Sequence, residues 1–445
     1  VVLLLSTYDL GRQPFGLASP VAWLREAGVE VACCDLSRQQ LPVDEVQKAT
    51  LIGFFLPMHT ATRLAIPVID KVREVNPRVR LCAYGLYAPL NEQLLRQRGI
   101  ADILGGEFEQ ELVEIARSAG LQPRAPGKRT PIPRLAFRIP DRTDLPPAGR
   151  YATLQIGRER TIAGYTEASR GCKHRCRHCP IVPVYDGVFR IVPVDVVMAD
   201  IRAQVQSGVR HVTFGDPDFF NGIGHARAVL ESFGREFAGV SYDVTIKVEH
   251  LLKHADMLPL LRDSGCAFVT SAVESIDDGI LLKLEKGHTA ADVEHVVGLF
   301  ADAGVALSPT FVAFTPWTTI ESYCNLLATI DRLNLIGHVA PIQLAIRLLI
   351  TEGSRLLELP EIRTTIDPFN VQSLTYPWRH EDPRVDALQA TLSTMVGSRL
   401  TAARHDVFAK AWEVAHSVAG AEVPPQRSAP RSRATVPYLN EPWYC

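Results

Sequence analysis

Cys172, Cys176 and Cys179 sit in the run Ser169-Arg170-Gly171-Cys172-Lys173-His174-Arg175-Cys176-Arg177-His178-Cys179-Pro180, a C-x3-C-x2-C spacing. Three thiolates this close suit three irons of one cuboidal [4Fe–4S] cluster and leave the fourth iron without a protein ligand. An open iron is a place for chemistry, whereas a fourth cysteine would close the site for plain electron transfer. Zinc is the competing reading, with His174 or His178 as fourth ligand. Both histidines lie inside the loop, where wrapping one metal is awkward, and no second C-x2-C pair occurs downstream.

The chain has 445 residues, enough for two or three domains, and an apolar fraction of 47% supports buried cores. No run of about 18 apolar residues reads as a membrane span, and no signal-peptide pattern is present. The net charge of −2 gives no bulk attraction to nucleic acid or to membranes. Nine scattered cysteines, an odd number, argue against a disulfide framework and for a reducing cytoplasm. Cys34, Cys82, Cys266 and Cys324 fall in or beside apolar elements and read as buried thiols. Adjacent Cys33 and Cys34 cannot share one strand face.

Residues 1–120 alternate short apolar runs with helical patterns. Strands are expected at Val1–Leu5, Val29–Cys33, Leu51–Leu56, Val79–Tyr84 and Asp102–Leu104, and helices at Ser19–Ala27 and Ala61–Val75. This is the pattern of a doubly wound, Rossmann-like parallel sheet, which binds ligands at the carboxyl ends of its strands. Residues 121–152, rich in Pro and Arg, read as a surface linker. The βα alternation resumes over 153–350. A mostly helical extension follows at 351–422, with helices near Val385–Val396 and Arg399–Val418, and then a flexible tail at 423–445 that ends in Cys445.

Behind the cysteine trio come four further elements in order. The first is a strand ending at Gly215-Asp216-Pro217-Asp218, after a helix over Val194–Gln206. The second, Val244–His250, reads as a strand that places Lys247 and Glu249 on one side. The third is Gly265-Cys266-Ala267-Phe268-Val269-Thr270-Ser271-Ala272-Val273-Glu274-Ser275, followed by Lys286-Gly287-His288. The fourth is a strand at Ala306–Ala313 with a Pro-containing loop, Thr315-Pro316-Trp317-Thr318-Thr319. With the cysteine spacing, this series resembles the radical S-adenosylmethionine (SAM) superfamily over roughly residues 155–345.

The resemblance implies an α/β fold with a partial, laterally open (β/α)6 barrel, the cysteine loop following a first strand near Thr161–Thr166. It implies a [4Fe–4S] cluster on Cys172, Cys176 and Cys179 that cleaves SAM reductively to a 5′-deoxyadenosyl radical. It implies Gly215 and Asp216 near the SAM amine, Lys247 near the carboxylate, Glu274 and Ser275 near the ribose, and His178 near the adenine. An electron donor such as flavodoxin or ferredoxin is expected, and the small-molecule substrate is not legible. The leading domain resembles the cobalamin-binding domain of one radical SAM subgroup. The Asp-x-His-x-x-Gly motif that supplies an axial histidine is absent, since position 11 after Asp9 is Gly, so cobalamin stays open as a cofactor.

The opening Ser6-Thr7-Tyr8-Asp9-Leu10-Gly11 and the ending Asn440-Glu441-Pro442-Trp443-Tyr444-Cys445 resemble the CUAEP/CCAEP-tail radical SAM proteins. There Cys is followed by selenocysteine or Cys, so a selenocysteine codon read as a stop would end the chain at Cys445, half of a reactive pair. Two other activities stay open. One is 3-amino-3-carboxypropyl transfer from SAM; the other is a redox or metalloid-binding protein whose cluster acts as a sensor.

Overall fold

A computed structural model describes residues 1–118, 132–399, 402–420, 422, 424–426 and 437–440. The first five strands are β1 (Val2–Ser6), β2 (Val31–Asp35), β3 (Leu51–Phe55), β4 (Arg80–Tyr84) and β5 (Asp102–Leu104). They pair in parallel in the order β2-β1-β3-β4-β5. Every residue of β1 and β3 is buried, as expected where helices cover both faces of a parallel sheet. Two apolar clusters flank the sheet. Cys34 belongs to one and Cys33 to the other, as strand alternation requires. The strand order reverses between β1 and β3, which opens a crevice at the carboxyl end of the sheet.

The second sheet holds β6 (Thr153–Ile156), β7 (Glu159–Thr166), β10 (His211–Phe214), β11 (Ser241–Thr245), β12 (Cys266–Glu274), β13 (Leu307–Phe311) and β14 (Tyr438–Asn440). Its order is β13-β12-β11-β10-β7-β6-β14. From β7 to β13 the pairing is parallel, giving a curled half-barrel. The sixth barrel position is a single parallel bridge between Phe314 and Arg347. A two-stranded ribbon of β8 (Ser169–Gly171) and β9 (Phe189–Ile191) frames the cysteine loop.

Helix starts follow local chemistry. Thr289 and Thr319 form capping boxes with Asp292 and Ser322, each satisfying backbone N–H groups that the first helical turn leaves free. The helices Pro383–Gly397 and Arg404–Ala419 place Leu392, Phe408 and Ala411 in the same apolar cluster as the barrel. The extension is therefore part of the barrel's core.

Two stretches are held in place by contacts. Residues 132–147, within the expected surface linker, are pinned by ion pairs. Arg25 donates to Asp141 at 2.5 Å and to Asp144 at 2.8 Å, Arg142 pairs with buried Asp200, and Leu145 is buried. Within the tail expected to be flexible, Tyr438–Asn440 instead closes the sheet edge by pairing antiparallel with β6. Residues 441–445, including Cys445, lie outside the described residues. Among the described residues no helix is long and apolar enough to cross a membrane.

Candidate active site

The cysteine loop leaves β8 at the barrel mouth. The amide of Cys179 donates to the Cys176 carbonyl at 3.2 Å, closing a turn. Cys172 Sγ sits 3.7 Å from Asn221 Oδ1, and Lys173 Nζ donates to the Asn221 carbonyl at 2.8 Å. The C-terminal extension grips the loop from outside. Arg355 donates to the Arg175 carbonyl at 2.5 Å, and Ser354 Oγ to the Arg177 carbonyl at 3.2 Å.

Burial raises the thiol pKa of Cys172, and that of Cys179 to about 12; Cys176 raises Cys172 further, and Cys176 and Cys172 raise Cys179. The three groups therefore share one pocket, where thiolates need a compensating cation. That is the chemistry of a site for iron: soft ligands, mutually close and short of positive charge. All eight described cysteines are free.

Glu274 ends β12 with φ of 69°, an uncommon conformation for a non-glycine residue and one that persists at functional sites. The β12–β13 register shifts between Ala272 and Glu274. The kink turns the carboxylate toward the cysteine loop, where it accepts from His178 Nε2 at 3.2 Å and from Lys286 Nζ at 3.4 Å. Burial pushes its pKa up, but Lys286 and then His178 outweigh that and hold it down to about 2. The Glu-Ser and Lys-Gly-His segments, read as separate motifs, thus meet at one point beside the third cysteine. Ser275 is buried, and its Oγ accepts from the Asp277 amide at 3.1 Å.

Asp216 and Gly215, expected near the SAM amine, both take part in local packing at the end of β10. Asp216 accepts from the Ala168 amide at 2.9 Å and from Ser169 Oγ at 2.6 Å. Both oxygens brace the segment entering the cysteine loop, and burial pushes this carboxyl up to about 7. At Gly215 a Cβ would fall 1.7 Å from Tyr165 Oη. The glycine makes room for that ring.

The Val244–His250 strand is also corrected. The ladder stops at Thr245, and Lys247 caps a short helix, Val248–Lys253, by accepting from His250 and Leu251 amides. The apolar alternation at Val244, Ile246 and Val248 runs through strand, turn and helix alike, so spacing alone did not reveal the break. Lys247 and Glu249 still meet, with Nζ to Oε2 at 3.1 Å, across the helical turn.

Sequence reasoning missed two sets of residues. His174, Asp218 and His250 converge beside the cysteine loop; the sequence offers His174 only as a ligand beside the cysteines, and nothing in it joins His174 to Asp218 and His250. The second set joins the two sheets. Arg170, 8% exposed, contacts Glu109 at 2.7 Å, Glu167 at 2.7 Å and Glu107 at 3.4 Å. Its guanidinium lies among the rings of Phe15, Phe108 and Phe137. Glu107 lies in the loop after β5 and Glu109 opens the helix that follows it, so the leading domain holds the residue two positions before Cys172.

Beside this ion network is a cavity of about 240 Å³ between the loops of the two sheets. Asp9, Arg12, Met58 and Gly85 line it from one side, and Tyr165 and Ile181 from the other. Among its described lining residues none is histidine.

Residues 166–325 match the family model of the radical SAM superfamily. Two curated relatives are the ribosomal protein uS12 methylthiotransferases RimO of Geotalea uraniireducens and Geobacter sulfurreducens. They are 22% identical over 177 and 235 residues, covering 38% and 46% of this chain and 39% and 51% of theirs. The chain thus spans about two fifths to a half of the length of these relatives.

Among solved structures, the cobalamin-dependent radical SAM enzyme OxsB, with aqua-cobalamin and SAM bound, superimposes with a TM-score of 0.69. It shares 13% identity and covers 90% of this chain and 67% of its own. The radical SAM methyltransferase TsrM of Kitasatospora setae, with cobalamin and a [4Fe–4S] cluster bound, gives 0.59 at 17% identity, over 75% of this chain and 73% of its own. At these identities the likeness is one of fold. A radical SAM fold implies a [4Fe–4S] cluster and SAM, and the three-thiol loop has the donor set for the first. The half-barrel that carries Cys172, Cys176 and Cys179 holds the segment that matches the radical SAM family model.

Proposed function

We propose that this chain is a radical SAM enzyme that modifies a small molecule through a 5′-deoxyadenosyl radical. The observation that carries the reading is the three-thiol loop at a half-barrel mouth with no fourth described cysteine beside it. When bound, the cluster supplies one electron to the sulfonium of SAM, releasing methionine and the radical. An external one-electron donor of flavodoxin or ferredoxin type provides that electron.

The chain's own residues have separate tasks. Cys172, Cys176 and Cys179 hold the cluster. Glu274, ionised and fixed by Lys286 and His178, offers a carboxylate at the mouth suited to ribose hydroxyls. Lys247, on Glu249, presents an ammonium suited to a carboxylate. Asp216 and Arg170 hold the loop that bears the cysteines.

The interdomain cavity lies at the sheet's switch point and against the barrel mouth, where a cobalamin would face the radical site. This reading is supported by the fold shared with OxsB and TsrM, both solved with cobalamin. The lining, without a described histidine, suits a cofactor lacking a protein imidazole below cobalt. A corrin exceeds a cavity of about 240 Å³, so its binding requires the cleft to widen. If it binds, methyl transfer to an unactivated carbon is the reaction class proposed. Titration of the cluster-loaded protein with aquacobalamin tests this, with a saturable absorbance change expected. No saturable change would leave the leading domain as a brace for the cysteine loop.

A further inference from the structure

The loop between the first two cysteines carries His174, which points away from the thiols toward two groups on other strand ends. Asp218 follows β10 and His250 lies in the helix after β11. His174 Nε2 is 3.3 Å from His250 Nε2 and 3.4 Å from Asp218 Oδ2, and Asp218 Oδ2 is 2.7 Å from His250 Nδ1. One ligand atom from each residue fits within 4.8 Å of the others. Asp218 and His250 are both 2% exposed, and His174 is half-buried at the rim.

We propose that His174, Asp218 and His250 form a binding site for a divalent transition cation, separate from the iron held by the cysteines. Three observations favour a cation over a plain hydrogen-bonded chain. The first is that Asp218 Oδ1 is already occupied by the amides of Phe220 at 3.3 Å and Lys247 at 3.4 Å. That fixes the carboxylate with Oδ2 turned to both rings. The second is that Asp218 Oδ2 and His250 Nδ1, though 2.7 Å apart, make no aligned hydrogen bond, and both are buried. A buried carboxylate oxygen and a buried ring nitrogen without a hydrogen-bond partner are free to take one.

The third is spacing. Ligands at about 2.0–2.1 Å from a tetrahedral metal lie roughly 3.3 Å apart; His174 Nε2 stands 3.4 Å from Asp218 Oδ2, and the His250 ring, with Nε2 3.3 Å from His174 and Nδ1 2.7 Å from Asp218, ligates through one nitrogen after a small shift. Two imidazoles and a carboxylate are a set favoured by zinc and by ferrous iron, with positions left for water or substrate.

Nearby charge is compatible with this. Lys247 Nζ lies 3.1 Å from His174 Nδ1 and also 3.1 Å from Glu249 Oε2. Ligation through Nε2 puts the His174 proton on Nδ1, and Glu249 Oε2, now 3.6 Å away, is the acceptor. Lys247 then stays on Glu249. A ligating histidine whose other nitrogen faces a carboxylate is the common arrangement around protein metals. Asp218 and Glu249 offset the charge of Lys247 and part of that of the cation. A metal here sits at the mouth that faces SAM, where it is placed to bind an anionic or chelating group of the substrate.

The test uses cluster-loaded protein, in which the cysteines already hold iron. It is equilibrated with zinc, dialysed, and analysed for zinc and iron together. The expected result is about one zinc per chain on top of undiminished iron, with zinc affinity reduced at least tenfold in His250→Ala and in Asp218→Asn while iron stays. His250→Gln, which keeps a polar side chain in the buried site, replaces His250→Ala if that variant loses iron. Zinc absent from the wild type, gained only at the expense of iron, or kept undiminished by the iron-replete variants overturns the proposal.

Discussion

The two parallel sheets of this chain present their strand ends to each other, and the two mouths are built differently. In the leading sheet the loops are packed against the neighbouring domain. Glu107 and Glu109 grip Arg170, and a Cβ at Gly106 would fall 2.4 Å from the Tyr185 ring. In the half-barrel, polar and charged side chains from three connections meet at the mouth, among them His174, His178, Lys247, Glu274 and Lys286. The same topology thus gives a mouth that clamps and a mouth to which the proposal assigns the reaction. The ionisation of their carboxylates differs accordingly. Burial raises Asp9 to about 7 in the clamping mouth despite Arg12. In the reacting mouth cations overcome burial and hold Glu274 down to about 2.

The largest effect that sharpens this contrast is expected from the reacting mouth. Replacing Cys172, Cys176 and Cys179 together by Ala should abolish the bound iron, about four per chain in the loaded protein, and all SAM cleavage. Iron analysis and product detection check it, and a full iron complement in that variant would break the assignment.

Next comes the clamp. Arg170→Ala leaves three carboxylates without their shared cation, and removing one partner of a buried ion pair costs about 3–5 kcal/mol. A denaturant titration should show that loss, with impaired iron retention because the cysteine loop begins two residues on. A loss below about 1 kcal/mol would mean that the carboxylates rearrange around other donors.

A smaller effect is expected for Glu274→Gln. Loss of a charge-assisted hydrogen bond should weaken SAM binding by about 1–3 kcal/mol, roughly tenfold or more, with iron unchanged. Unaltered affinity would place the ribose elsewhere. The same variant tests linkage. Glu274 has a folded pKa below its unfolded value, so its stabilisation is present above about 4.5 and lost as pH falls toward about 2. Glu274→Gln should flatten that acid limb in thermal melts.

The opposite sign is expected in the clamp, and the effect is the smallest because Arg12 offsets part of it. Asp9 has a raised folded pKa, so its contribution to stability falls as pH rises from about 4 to about 7. Asp9→Asn should remove that slope and raise the melting temperature at pH 8. An unchanged slope would mean that the clamping mouth is wetter than its burial implies.

The sequence made the strands of the leading sheet legible because they are buried on both faces and read as unbroken apolar runs. Asp102–Leu104 and the helix Val194–Gln206 fall where the pattern put them. The cysteine trio was legible because local spacing alone brings its ligands together. Asp218 and His250 were not, since their meeting depends on the curl of the barrel. Arg170 was hidden for a related reason: its partners lie some sixty residues upstream, across a domain boundary.

The central claim is that the open mouth of the half-barrel cleaves SAM at the bond to its 5′ carbon. The direct measurement is mass analysis of SAM products after anaerobic reduction of the cluster-loaded protein. The account predicts 5′-deoxyadenosine and methionine, absent from the triple cysteine variant. Methylthioadenosine in its place would contradict the account and show transfer of the 3-amino-3-carboxypropyl group, and intact SAM beside a reduced cluster would contradict it as well.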